Sequence, residues 1–250
     1  MLTERQEKIL TALKEDPTLS VRALARMLYV SEPTVRRDFT ALAEKGFLTK
    51  HYGGASVTPA AADTEIPFLL RAEEKSDAKT EIARRAAALV EDGMVVMLDG
   101  STSAFRIVPF LKDKKDIICI TSGARTSVAL AEAGIKNFST GGQMVVNSFS
   151  FVGAEAEHFV STVSADILFF SCRGLTDMGE MTDRATGEAA LRRKMFERCR
   201  RLVLLCDSTK LGQTCFYSMG DVADIDDVIT EGALPESIAS RVGKRRTPCF

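Results

Sequence analysis

The stretch Ser31-Glu32-Pro33-Thr34-Val35-Arg36-Arg37-Asp38 decides how the first fifth of the chain folds. At 100° per residue, Val35, Phe39 and Leu42 fall on one narrow stripe and make a core-facing seam. Pro33, Arg36, Arg37 and Thr40 project away from it. Ser31 is a good N-cap, because its hydroxyl accepts a hydrogen bond from a first-turn amide that has no other partner. Pro33 is tolerated in that turn, where amides lack intrahelical acceptors anyway. Upstream, Val21, Leu24, Ala25 and Leu28 repeat at i, i+3, i+4 and i+7, with Ser20 as their N-cap. Only Tyr29 and Val30 separate the two helices, which is the spacing of a helix-turn-helix over about residues 20–39.

Outward from this pair, a first helix from about Thr3 to Lys14 presents Ile9, Leu10 and Leu13 and ends at the breaker Asp16-Pro17. Gly46 stops the third helix. Phe47 to Ala55 then reads as strand, glycine turn and return, a small hairpin. Three helices and a hairpin make a winged helix-turn-helix over residues 1–57. Paired arginines on a helix are commonly a solvated face. Here they sit on the second of two closely spaced helices, beside a wing, where arginine forks suit guanine edges or phosphates. The candidate contacts to double-stranded DNA are Arg22, Ser31, Pro33, Thr34, Arg36, Arg37 and Thr40, with Lys50, His51, Tyr52 and Gly53 on the wing. Asp38 points toward the packing side and is expected to pair with Arg22 or Arg26. Glu32 either caps the helix electrostatically or excludes a wrong base.

Residues 1–55 carry nine Lys/Arg against seven Asp/Glu, a net +2, and the remainder carries 24 against 27. So weakly basic a head suits a homo-oligomer, dimer or tetramer, that pools phosphate contacts from two heads. An apolar fraction of 45% and a charged fraction of 27% are those of a soluble globular protein. No apolar run approaches the ~20 residues that span a membrane, and no signal-peptide pattern opens the chain. The six cysteines form no CxxC pair; Cys119, Cys172 and Cys206 sit in apolar runs as small buried hydrophobes, which suits a reducing cytoplasm. Two histidines make a histidine-rich metal site improbable, and no metal or cofactor is expected. Residues 58–75 read as a linker, 76–240 as a second domain, and 241–250 as a disordered basic tail.

That second domain alternates apolar runs with helical periodicity, which argues for a mainly parallel α/β sheet. Five runs end in small or hydroxyl residues: Leu98 into Asp99-Gly100-Ser101-Thr102-Ser103, Ile120 into Thr121-Ser122-Gly123, Ser139 into Thr140-Gly141-Gly142, Phe170 into Ser171-Cys172-Arg173-Gly174, and Leu205 into Cys206-Asp207-Ser208-Thr209-Lys210. Ligands of open α/β sheets bind outside the carboxyl ends of the strands. Glycine lets amides come close to a ligand, and hydroxyls at helix N-termini add donors. Arg173 and Lys210 complement negative charge, while Asp99, Asp183 and Glu188 accept from hydroxyls. A small polyhydroxylated anion, such as a sugar phosphate, fits this composite best. Walker A and GxGxxG patterns are absent, which weighs against a nucleotide. Arg192, Arg193 and Lys194 read chiefly as a solvated helix face, with Arg192 a lesser candidate for the site.

Together these motifs resemble the DeoR family of bacterial transcriptional regulators across nearly the whole chain. Val30–Asp38 and His51–Ala55 look like its DNA-binding head; Leu98–Ser103, Thr140–Gly142, Phe170–Thr176 with Thr182-Asp183, and Asp207–Gly212 look like its sensor. The resemblance implies an α/β sensor of ribose-5-phosphate-isomerase-like type and a phosphorylated sugar or related metabolite as effector. It also implies repression of a sugar-catabolic operon that the effector relieves. Its effector contacts, carried onto this chain, are Asp99, Ser101, Thr102, Ser103, Thr121, Gly141, Arg173, Asp183, Glu188 and Lys210; Gly100, Ser122, Gly142, Gly174 and Thr182 in the same motifs join them as candidates, with no catalytic residue among them. A sugar-phosphate isomerase carrying a DNA-binding appendage, or an activator, is the alternative.

Overall fold

The computed structural model describes residues 3–16, 18–44, 47–51, 54–57 and 68–244. The chain divides into two compact units, Met1–Leu70 and Arg71–Phe250.

In the first unit, α1 (Glu4–Glu15), α2 (Val21–Met27) and α3 (Glu32–Glu44) are followed by the antiparallel pair β1 (Leu48–His51) and β2 (Gly54–Val57). Each helix start is fixed by a hydroxyl. Thr3 and Gln6 form a reciprocal capping box, Ser20 Oγ accepts from the Ala23 amide at 3.2 Å, and Ser31 Oγ accepts from Thr34 at 3.4 Å. Between α2 and α3, Tyr29 takes a left-handed φ of 54° and the Val30 amide donates to Ala25 O, a Schellman-type end reached here without glycine. Ile9, Leu13, Leu24, Val35 and Leu42 have no solvent exposure and form the small core that orients α3. Asp38 is buried as expected, but its partner is neither Arg22 nor Arg26. Arg5 Nε on α1 donates to it at 2.5 Å, and Gln6 Nε2 adds a bond at 3.4 Å. Pro17, Gly46 and the wing residues Tyr52 and Gly53 lie outside the described residues.

The expected linker 58–75 contains the helix α4 (Phe68–Glu73), its residues 58–67 lie outside the described set, and α5 (Ser76–Ala87) follows it. The chain then runs through β3 (Val95–Leu98), α6 (Thr102–Phe105), β4 (Ile118–Thr121), α7 (Ala124–Glu132), β5 (Asn137–Ser139), the hairpin β6 (Gln143–Val145) and β7 (Ser150–Val152), and α8 (Ala154–Ser161). Next come β8 (Ala165–Phe170), β9 (Gly174–Leu175), β10 (Glu180–Asp183), α9 (Thr186–Glu197), β11 (Cys199–Leu205), β12 (Tyr217–Asp221), β13 (Asp227–Ile229) and α10 (Glu236–Ala239). Part of the expected disordered tail is ordered: Arg241 pairs with Asp221 at 2.8 Å and the Gly243 amide donates to Ile225 O, while residues 245–250 lie outside the described set.

Six strands form a parallel sheet in the order β13-β11-β8-β3-β4-β5. Alternate residues of the apolar runs face opposite layers. Met97, Leu168, Phe170 and Leu204 pack toward α8 and α9, whereas Val96, Leu98, Phe169 and Val203 pack toward α5 and α7. Both faces are covered, which is why the runs are apolar throughout. The order also contains a reversal. Successive strands add on one side of β3 as β4 and β5, and on the other as β8, β11 and β13. The crevice at such a switch point, outside the carboxyl ends of β3 and β8, is where open α/β sheets take ligands. No helix among the described residues is long and apolar enough to cross a membrane.

Candidate functional site

Two places in the molecule carry the chemistry singled out in the sequence. The first is α3. Pro33, Arg36 and Arg37 are exposed on it, as are Ser31 at its start and Arg22 on α2. Arg36 lies 3.9 Å from Glu32 Oε2, an exposed i,i+4 pair that holds the guanidinium only loosely. Thr34 shares a 2.8 Å hydrogen bond with Ser31. Thr40 Oγ1 donates to Arg36 O and accepts from Lys50 Nζ at 3.3 Å, so α3 and the wing are linked. His51 meets Ser56 across the hairpin at 2.7 Å. The helix thus offers two unburied arginine forks on the face opposite its buried Val35–Phe39–Leu42 seam.

The second place is a cavity of about 140 Å³ at the switch point of the sheet. Its wall takes Ser101, Thr102 and Ser103 from the end of β3, Ser171, Cys172 and Arg173 from the end of β8, and Asp207, Thr209 and Lys210 from the end of β11. Asp183, Arg192, Arg71, Glu74 and Lys79 complete it. Six of the expected effector residues, Ser101, Thr102, Ser103, Arg173, Asp183 and Lys210, are therefore brought to one cavity.

Arg192 organises one side. The sequence places it on a solvated face, but it is only 4% exposed and its guanidinium engages three carboxylates. Nε donates to Asp99 at 2.7 Å, one Nη to Asp183 at 2.7 Å and the other to Glu188 at 3.2 Å. Asp99 also accepts from the amides of Ser101 (3.0 Å) and Ser171 (3.1 Å), tying the ends of β3 and β8 together. Asp183 accepts from the amides of Arg184 and Ala185. Burial works against the Asp183 carboxylate, but Arg192, Arg173 and those amides outweigh it and hold its pKa below the ordinary value. Asp99 and Glu188 thus stand behind the wall and position Arg192.

The other side is cationic. Lys210 Nζ donates to Ser171 Oγ at 2.7 Å and lies 3.2 Å from Asp207. Lys79, which sequence reasoning passed over, is 4% exposed and donates to the backbone carbonyls of Arg71 and Glu74. Burial, and next the charge of Lys210, push its ammonium down to about 8. A signal for Lys79, and for more weight on Arg192, lay in the helical period. Lys79 shares a stripe with Ile82, Ala83 and Ala86, and Arg192 with Glu188, Ala189 and Met195, all buried.

Seven expected contacts are not part of the cavity wall. A Cβ on Gly100 would lie 1.9 Å from Ser150 Oγ, so this glycine admits the β6–β7 hairpin. Thr121 and Ser122 serve the same neighbourhood: Thr121 Oγ1 accepts from Gly123, and Ser122 O accepts from the Phe151 amide at 2.7 Å. Gly141 and Gly142 turn the chain after β5 with φ of 64° and 100°. They and the end of β4 fall on the far side of the switch point and outside the cavity wall. Gly174 lies against Gln213 O, and Thr182 Oγ1 bonds Gly174 O and the Cys215 amide. Among the described residues, no group of three or more His, Cys, Asp or Glu stands together to hold a metal.

The model of the DeoR-like helix-turn-helix domain matches residues 5–59, and that of the DeoR C terminal sensor domain matches residues 74–232. The HTH-type transcriptional regulator GolR of Listeria innocua is 32% identical over 94% of this chain and 92% of its own length. The glycerol-3-phosphate regulon repressor of Escherichia coli strain K12 is 24% identical over 94% of this chain and 93% of its own. A solved ribose 5-phosphate isomerase A from Methanocaldococcus jannaschii superposes with a TM-score of 0.42 at 17% identity, over 54% of each chain, a likeness too loose to bear on chemistry.

Proposed function

The chain belongs to the DeoR family of DNA-binding transcriptional regulators, and we propose that it represses a carbohydrate-catabolic operon and that a phosphorylated sugar sets its hold on operator DNA. The observation that carries the effector class is the mixed lining of the cavity, cations together with hydroxyls and a carboxylate. Arg71, Lys79 and Lys210 offer cations for a phosphate, and Ser101, Thr102 and Asp183 offer partners for hydroxyls. The size, about 140 Å³, suits a small metabolite rather than a nucleotide.

Control of DNA by the effector is linkage. The effector binds one arrangement of the protein better, shifts its population, and thereby changes operator affinity, typically by roughly 5–150-fold. A repressor is the sign that the glycerol-3-phosphate regulon repressor carries among its relatives. On α3, Arg36 and Arg37 read base edges or clamp phosphates, with Arg22, Ser31, Pro33, Thr34, Thr40 and the wing residues Lys50, His51, Tyr52 and Gly53 beside them. Two heads of a homo-oligomer acting together in the cytoplasm compensate for the small charge of each.

The rival, an isomerase, needs a carboxylate free to take a proton. Asp99, Asp183 and Glu188 are each engaged by the Arg192 guanidinium, and the lowered pKa of Asp183 makes that cavity carboxylate a weak base. Fluorescence anisotropy on DNA selected by the protein from a random library, repeated with a panel of sugar phosphates, tests the proposal. A metabolite-independent affinity across the panel rejects sensing, and steady turnover of ribose 5-phosphate supports the isomerase instead.

A further inference from the structure

Lys79 occupies an unusual position for a cation. Its ammonium is removed from water, yet two of its three protons go to the carbonyls of Arg71 and Glu74, at the end of α4 and just beyond it. α4 is the element through which the chain enters the sensor. Arg106 holds the same turn by donating to Ala72 O at 2.6 Å, so two cations of the sensor cap one helix end. The joint that follows is strained: Lys75, between α4 and α5, has a left-handed φ of 53° without being glycine. The same Lys79 side chain lines the cavity alongside Lys210.

We propose that Lys79 is the residue through which an anion in the cavity acts on the entry segment Arg71–Lys75. This rests on the anion-binding reading of the cavity. The ammonium carries a charge that carbonyl dipoles satisfy only in part, and burial already presses it toward neutrality. A phosphate oxygen is a stronger acceptor than a peptide carbonyl and supplies the missing counter-charge. Drawing Nζ toward the anion lengthens its bonds to Arg71 O and Glu74 O. The last turn of α4 then loses a cap next to a strained joint, and its amides open more often.

Hydrogen exchange on the full-length protein, read by mass spectrometry with and without inorganic phosphate, tests this. In the wild type, phosphate is expected to speed exchange in peptides covering residues 71–75. Lys79→Gln is expected to bind phosphate about tenfold more weakly, the loss of one charge-assisted contact, and to show no change at 71–75 even at saturation. Lys210→Gln also binds more weakly, but its exchange response returns in full at saturation. Phosphate that saturates the wild type without changing 71–75 overturns the inference, as does a normal response in saturated Lys79→Gln. The wild-type measurement decides alone if Lys79→Gln does not fold. Failure of phosphate to bind the wild type at all removes the anion-sensor reading itself, and this inference with it.

Discussion

Replacing Arg192 with Met keeps much of the side-chain volume and deletes the charge that three buried carboxylates share. Removing one partner of a buried ion pair costs about 3–5 kcal/mol, because the other charge is left without compensation. Here the loss stays near that range instead of tripling. Asp99 keeps two amide donors and Asp183 keeps two, which limits the exposure of each to low dielectric. In a unit of 250 − 70 = 180 residues, each kcal/mol moves the melting temperature by roughly 2–4 °C, so the variant should melt roughly 6–20 °C lower at pH 7. Circular dichroism measures this directly, and its pH dependence supplies an independent sign. In the wild type the Asp183 pKa is depressed; its stabilisation is present above the unfolded value of about 4 and is lost as pH falls through the folded value. In the variant the loss of Arg192 leaves burial to raise the Asp183 value, so acidification from pH 7 to about 5.5 should restore stability where the wild type stays flat. A variant that melts within about 2 °C of the wild type, or gains nothing on acidification, refutes the assignment of Arg192 as the shared counter-ion.

Arg37→Ala removes an exposed fork, so operator affinity should fall by about 1–3 kcal/mol in anisotropy titrations while the melting curve stays unchanged. Gly100→Ala drives a methyl into Ser150 and should cost about 1–3 kcal/mol in denaturant unfolding; Ser150→Gly in the same chain should recover most of it. Phosphate binding should weaken as pH rises through about 8, where Lys79 loses its proton. A phosphate monoester stays dianionic over this range, its second pKa being about 6, so flat sugar-phosphate affinity from pH 7 to about 9.5 would remove Lys79 from the contacts. Over pH 8 to about 10.4 the unfolded chain retains a proton that folded Lys79 has released, so the unliganded protein should become more stable across that window.

The head was legible almost to the residue because its determinants are local. Ser20 and Ser31 cap the helices that follow them, and the expected stripes hold the buried residues Val21, Leu24 and Ala25 on one and Val35, Phe39 and Leu42 on the other, with Leu28 half-buried. What escaped was the partner of Asp38, since Arg5 is 33 residues away and nothing in the local pattern points to it. In the sensor, apolar runs marked the strands and their hydroxyl-rich ends. Their spatial order was not written in any of them. Only the reversal between β3 and β8 sorts the five strand ends into three that wall the cavity and two that lie beyond it. Arg192 and Lys79 were hidden by their chemistry. A cation on an apolar stripe reads as a misfit until its acceptors, which lie on other elements, are known.

Arg37 in open solvent and Arg192 enclosed by three carboxylates place the same functional group in two dielectric regimes. Mobile ions screen the first over about 8 Å at physiological ionic strength and scarcely reach the second. Each phosphate the head neutralises releases condensed counterions, so its grip on DNA should fall steeply with added salt. The frame behind the cavity should hold its melting temperature over the same titration. Ionic strength therefore separates the two halves of the protein without a mutation, weakening what it reads while sparing what it senses with.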